Sequence, residues 1–329
     1  MTGTGSVAKA EEPKRSLKEV WREFVNNYLI ITGIVVLMVY TAIMQPTFFS
    51  YSNISSILKQ LVPLGLVSLG MTLIVIGGYI DLSVAGMFSF LSMLSALLYN
   101  KTGAVSFLLI ILIGALCGGI NALILIGCGA RDDSDALFIT FGMSTVFTAM
   151  ALMMNDGSAI ILKQSNFTKF LGQGSLARVP FMVYIFAIFV ILLQFMMKKT
   201  QIGRGIHLSG SNPTAASLCG ISASKVIAIV YVVTGALVGI GAYLITCRVG
   251  NATPVVGKNY ETNAIMSVAI GGTSLQGGHG SVVNTLIGVA LVTIMINSLN
   301  ILGIDQNMQF VWRGAILVIA IWLDARREI

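Results

Sequence analysis

The sequence predicts an all-α polytopic membrane protein of about ten transmembrane helices, on three observations. Hydrophobic residues make up 56% of the 329 and charged residues 10%, where a soluble domain carries roughly 25% charged residues. Mean hydropathy is +0.88. The apolar residues also gather into repeated runs near the ~20 residues needed to cross a hydrocarbon core. Those runs are continuous instead of alternating, which argues against a β-barrel.

The elements follow in order. Residues 1–28, including KRSLKEVWREF, are polar and lack an apolar core, so they predict a cytoplasmic tail and not a signal peptide. Spans are expected at 29–45, 58–76, 84–99, 104–126, 136–154, 180–197, 226–247, 262–275, 282–301 and 309–324, within a transmembrane domain covering 29–325. Residues 326–329 form a cytoplasmic C-terminal end, so both termini share one side. In this topology Lys9, Lys14, Arg15, Lys18, Arg22, Arg131, Lys198, Lys199, Arg204, Lys225, Arg326 and Arg327 lie inside. Lys59, Lys101, Lys163, Lys169, Arg178, Arg248 and Lys258 lie outside. Cytoplasmic loops retain Lys and Arg, so the imbalance sets the orientation. The long loop 155–179 holds three of the outward basic residues, and long loops obey this rule least.

The net charge of +7 sits in tails and loops with no basic stripe, which excludes a nucleic-acid platform. Cys117, Cys128, Cys219 and Cys247 stand singly, giving neither a disulfide framework nor a zinc site.

Two expected spans, 84–99 and 262–275, are short, and each borders a glycine pair. Interrupted helices of this kind mark transport pathways, because irregular backbone survives at membrane depth only beside protein or water. MTLIVIGGYIDL (71–82) and MSVAIGGTSLQ (266–276) echo one another, as a parallel internal repeat would. In GGYIDLSVAG (77–86), Asp81 precedes an apolar run. It reads as a cap on the third span, taking backbone amides and meeting the positive helix end, or as part of a gate; both readings stand together.

Catalytic chemistry has no foothold. No G-x-x-x-x-G-K-[ST] stretch exists, and the one Gly-Lys pair, Gly257–Lys258, is followed by Asn259, so the chain has no nucleotide-cradling loop of its own. No cofactor is expected on this chain. His207 and His279 stand alone and read as polar loop residues. Ion coupling needs acids or bases inside the membrane, yet Asp81, Glu261, Asp305 and Asp324 fall at span ends and Arg313 just inside the last span. Asn121, Asn284, Asn297 and Asn300 are the amides embedded in apolar runs. They suit either helix-to-helix hydrogen bonds or contact with a hydroxylated solute.

The inside loop 198–225 reads KKTQIGRGIHLSGSNPTAASLCGISASK. Ser211 or Asn212 can cap a short helix with Pro213 at its first position, and Gly220 can end it. A helix of such small residues on the cytoplasmic face suits docking into a partner's groove.

IGRGIHLSGSNPTAASLCGISASKV resembles a stretch of the permease subunits of bacterial ribose-type sugar ABC importers. MTLIVIGGYIDLSVAG, GKNYETNAIMSVAIGGTSLQGGHGSVVNTLIG and NSLNILGIDQNMQFVWRGAILVIAIWLD are similar to others, over about residues 45–327. The resemblance implies a permease of the bacterial cytoplasmic membrane that pairs with a second permease, identical or homologous. It implies cytoplasmic ATPase subunits that carry ATP-Mg, and an extracytoplasmic solute-binding protein. Carried over, Gly210, Asn212, Ala215, Ala216 and Gly220 form a coupling helix. Tyr260 and Glu261 match a pair expected where the binding protein docks. Gly271, Gly272, Thr273 and Ser274 match a second signature, with Gly277, Gly278 and Gly280. Gly77, Gly78, Asp81, Ser83, Gly271, Gly272, Thr273, Ser274, Asn297 and Asn300 are expected to line the gate and pathway. The chain departs from the pattern at Tyr79, where glycine is usual, at Thr148 or Ala149, where arginine is frequent, and in the acidic turn RDDSDALF (131–138).

The expected cargo is a monosaccharide or similar hydroxylated solute. Alternatives are the same machinery carrying a nucleoside or furanone-type signal, an ion-coupled transporter working alone, and a membrane scaffold.

Overall fold

The computed structural model describes residues 17–129 and 133–327, with side chains over 31–129 and 134–322. The expectations for Lys9, Lys14, Arg15 and Arg131, for the first residues of the acidic turn and for the last two residues fall outside the described residues.

The chain runs through α1 (Leu17–Met44), α2 (Tyr51–Ile76), α3 (Val84–Thr102), α4 (Ser106–Gly127) and α5 (Asp133–Met153). It continues through β1 (Ile160–Ile161), α6 (Asn166–Gln173), β2 (Ser175–Leu176), β3 (Val179–Pro180), α7 (Phe181–Lys199), α8 (Gln201–Ser211) and α9 (Pro213–Leu218). The last elements are α10 (Ala223–Val249), β4 (Asn251–Ala252), α11 (Tyr260–Ile270), α12 (Val282–Ile301) and α13 (Gln306–Arg327). Among the described residues, six helical stretches are long and apolar enough to cross a membrane, one of them Val84–Gly127, which joins α3 to α4. The chain is therefore a multi-pass helical membrane protein.

α2 forms the centre. Every residue from Val62 to Ile76 is buried, which requires protein on all sides and not one lipid-facing stripe. α10 packs against it and against α4. The α4–α10 crossing is built from two G-x-x-x-G pairs, Gly114 with Gly118 and Gly235 with Gly239. A Cβ on Gly118 would collide with the Tyr231 carbonyl oxygen, and one on Gly235 with that of Gly114. Lipid offers no hydrophobic drive to bring helices together, so close backbone approach supplies the attraction. Buried hydroxyls add links between helices: Thr72 to Thr285 at 2.7 Å, Ser92 to Thr246 at 2.8 Å and Ser106 to Tyr243 at 2.9 Å. Outward faces of α4, α5 and α7 carry Leu108, Leu116, Phe138, Phe141, Ile191 and Phe195, all exposed, as lipid contact demands.

Several expectations change in detail. α1 begins at Leu17, inside the stretch read as a tail. α3 extends to Thr102 and has 19 residues, so it is not a short span. α11 is short: its 11 residues cover about 16 Å at 1.5 Å each, roughly half of a ~30 Å hydrocarbon core. Loop 155–179 is structured. β1 pairs antiparallel with β4, β2 with β3, and α6 carries a capping box from Ser165 and Thr168. Their shortness hid these pieces: strands of two residues and a helix of eight lie far below the ~20-residue runs that mark a span.

Candidate functional site

The two glycine breaks fold alike. At the end of α2, Gly77 N–H bonds Leu73 O, Gly78 N–H bonds Val75 O and Tyr79 N–H bonds Ile74 O. At the end of α11, Gly271, Gly272 and Thr273 repeat the pattern onto Ser267, Ala269 and Val268. Each is a Schellman turn with a left-handed glycine, φ +84° at Gly78 and +77° at Gly272, a conformation only glycine adopts without strain. α12 ends the same way at Gly303, so the turn alone does not establish the repeat.

What distinguishes the two breaks is where they lead: both meet α8. Gly278 N–H donates to Ile76 O at 2.8 Å, tying the segment after α11 to the last residue of α2. His207 Nδ1 lies 2.8 Å from Gly278 O. Gly210 fits between them, where a Cβ would collide with Ile76 O and lie 2.6 Å from Gly278 N. A Cβ on Gly277 would stand 2.8 Å from the Gly78 Cα. Three chain segments thus cross with no side chain between their backbones. Thr273 packs beside the junction, fully buried, its Oγ1 without a partner. Ser274 N–H bonds His279 O, closing the loop.

α8 passes straight into α9. Asn212 caps α9, its Oδ1 accepting from Ala215 N–H at 2.9 Å, with Pro213 at the first position. Gly220, at φ +79°, lets Ile221 N–H close back onto Ala216 O. The short helix is as the sequence predicts, with two corrections. Gly210 belongs to α8, an 11-residue helix the sequence reading took as loop, since its Gly and Ser residues masked the period carried by Ile202 and Ile206. Ala216 faces inward at 2% exposure, whereas Ala215 is exposed and Leu218 is 85% exposed.

Asp81 lies in the connection 77–83, outside the helical spans, and is 1% exposed. It is not the N-cap of α3, which starts at Val84 after Ser83. Its Oδ1 instead accepts from Ser83 N–H at 2.7 Å. Ser83 Oγ accepts from Asn121 Nδ2 at 2.6 Å and Leu82 N–H donates to Thr140 Oγ1 at 3.1 Å, fixing the turn to α4 and α5. Asp81 Oδ2 has no partner. Burial pushes the carboxyl up from 3.8 to about 6, against the opposing hydrogen bonds from Ser83.

A folded pKa above the unfolded one means stability that is complete below ~3.8 and lost as pH rises through about 6. The span corresponds to about 3 kcal/mol at ~1.36 kcal/mol per pH unit. Asp81→Asn keeps the Oδ1 acceptor without the charge. Its thermal stability is expected to exceed that of the wild type at pH 7.5, with the gap narrowing below about pH 6 and closing only near ~3.8. A gap independent of pH would contradict this account of the turn.

The remaining predicted residues lie toward the Tyr51 end of α2. Asn297 exchanges amide bonds with Asn53 at 3.0 and 3.2 Å, and Asn300 Oδ1 accepts from Gln309 at 2.8 Å. Both amides are engaged between helices. Tyr260 and Glu261 start α11; Tyr260 stacks on Phe88 with centroids 4.1 Å apart, and Glu261 Oε2 is buried without a partner. His207, read from the sequence as a polar loop residue, instead bonds the segment after α11, and Leu218 is the exposed tip of α9.

The family model described as "Branched-chain amino acid transport system / permease component" matches residues 53–321. The chain is 32% identical to the ribose import permease of Bacillus subtilis, over 90% of this chain and 92% of that one. It is 27% identical to the fructose import permease of Rhizobium meliloti (90% and 84%) and 26% to the L-arabinose permease of Azospirillum brasilense (96% and 92%). No solved structure matches.

Proposed function

We infer that this chain, which belongs to the branched-chain amino acid transport system / permease component family, is the membrane subunit of an ATP-driven importer that moves a monosaccharide or similar hydroxylated solute inward. The relatives, import permeases for ribose, fructose and arabinose, support the cargo class. The observation that carries the mechanism is the junction of Gly78, Gly210 and Gly278, where α8 packs backbone to backbone against the end of α2 and the segment after α11.

The mechanism follows from that contact. α9 presents Ala215 and Leu218 at the inner face to an ATPase subunit, and ATP-Mg binds and is hydrolysed there, on the partner. Motion of α9 moves α8, to which it is joined through Asn212. Packing with no side chain between backbones has no slack, so displacement of Gly210 passes to Ile76 and Gly278 together. Both interrupted helices then shift as one, opening or closing the inner gate. In the assembled importer ten spans place both termini inside, a second permease completes the pathway, and an external binding protein delivers solute near Tyr260 and Glu261.

Leu218→Glu tests this reading. It leaves the buried Ala216 in place and puts a charge on the exposed tip. Uptake in the assembled complex is expected to fall by the ~5–150-fold typical of a lost coupling free energy, with the purified permease still folded. Unchanged uptake would mean that α9 does not meet the ATPase.

A further inference from the structure

At the end away from the glycine junction, a cavity of about 210 Å³ opens between α2, α10, α11, α12 and α13. Arg248, Lys258 and Arg313 line it, and none of its lining residues is acidic. Lys258 and Arg313 stand over one ring, Phe310, with 5.8 and 5.7 Å to its centroid. Arg313 donates from Nη2 to Gln309 Oε1 at 3.1 Å, but its Nε is buried without a partner. Arg248 and Arg313 are half-buried and Lys258 is exposed at the rim; half-buried cations with no acidic lining residue beside them are costly unless an anion joins them.

The neutral lining residues add a second requirement. Asn263 is 7% and Thr293 2% exposed, and Asn263 Oδ1 and Thr293 Oγ1 are both buried without partners. An amide oxygen only accepts hydrogen bonds, so it calls for a donor, which a bare inorganic anion lacks. The cavity therefore suits a ligand with an anionic group and hydroxyls together. Its volume lies below the ~300–1,000 Å³ of sites for drug-sized ligands, which restricts the ligand to about one sugar ring. Arg248 also borders a neighbouring polar pocket with Ser52, Ser55, Ser56 and Lys59.

We propose that this cavity binds an acidic monosaccharide, its carboxylate or phosphate held by Arg248, Lys258 and Arg313 and its hydroxyls by Asn263 and Thr293. The proposal rests on the importer reading and narrows its cargo from neutral to anionic sugars.

The test is isothermal titration of the full chain in lipid nanodiscs with D-glucuronate, D-ribose 5-phosphate, D-ribose and sulfate. Glucuronate or ribose 5-phosphate is expected to bind saturably, and the one that binds identifies the anionic group. Ribose should bind about tenfold or more weakly, and Arg313→Gln should weaken the sugar anion by a similar factor. Arg313→Lys should retain binding, which covers the case in which the glutamine variant fails to fold. Thr293→Val should weaken the sugar anion and leave sulfate unchanged. Ribose binding as tightly as the anions, or no anion binding, overturns the proposal. So does sulfate matching the sugar anions with Thr293→Val neutral, which would leave a bare anion site. ATP-dependent uptake of ribose without any anion binding would overturn this inference alone. Sugar-anion binding with uptake that ignores ATP would instead overturn the importer reading.

Discussion

Gly210→Val is expected to cut productive uptake sharply while the complex still assembles. A Cβ at this position meets Ile76 O and lies 2.6 Å from Gly278 N, the two atoms joined by a 2.8 Å hydrogen bond. The valine would wedge open the bond that makes α2 and the segment after α11 move together, and leave the inward-facing Gly278 N–H without its acceptor, at ~1–3 kcal/mol. Uptake per ATP hydrolysed should drop by ~5–150-fold, the range of coupling free energies between sites. Gly205→Ala on the same helix is the control, because its nearest neighbours, at 3.7 and 3.9 Å, are in ordinary contact. If Gly210→Val complexes transport as the wild type does, the junction does not transmit motion.

The second large effect is on folding. Gly235→Leu places a side chain against Gly114 O and 2.9 Å from Gly118 N at the α4–α10 crossing. Overpacking costs roughly 1–3 kcal/mol where neighbouring side chains can move aside; here the obstacle is backbone, so the cost should reach or pass the upper end. The expected result is a sharp fall in monodisperse protein extracted in detergent, with a lower melting temperature for what remains. Gly119→Ala, whose nearest neighbour is a Val232 methyl at 3.6 Å, should behave as the wild type. Equal yields for the two variants would show that the crossing is not held by glycine contact.

Much of this architecture is legible in the sequence, and the reasons differ by element. Helices α2, α4, α7 and α12 announce themselves as continuous apolar runs, since lipid and a buried core ask for the same residues. The breaks at Gly77–Gly78 and Gly271–Gly272 are visible because the Schellman turn needs glycine. The cap and stop of α9 are legible for a similar reason, in Asn212, Pro213 and Gly220. The sequence does not show that Gly210 lies against Ile76 and Gly278, because sequence separation hides which glycines meet. Nor does it show that Asp81 closes its turn onto Ser83 and not into α3; both arrangements place a carboxylate near a helix start. α8 and α6 escape notice because both are far shorter than the bilayer is thick, so neither forms a membrane-length apolar run. The cationic cavity is hidden most deeply. Arg248, Lys258 and Arg313 come from three separate segments, and each alone reads as a charge at a span end.

The central claim is that energy for transport enters from a separate ATPase through α9. Its most direct test is uptake of radiolabelled monosaccharide by proteoliposomes that hold this chain, its ATPase and its binding protein. Accumulation is expected only when ATP is supplied on the ATPase side, is stopped by vanadate and persists with a protonophore present. Accumulation by the purified chain alone, driven by an ion gradient and indifferent to vanadate, would contradict the account.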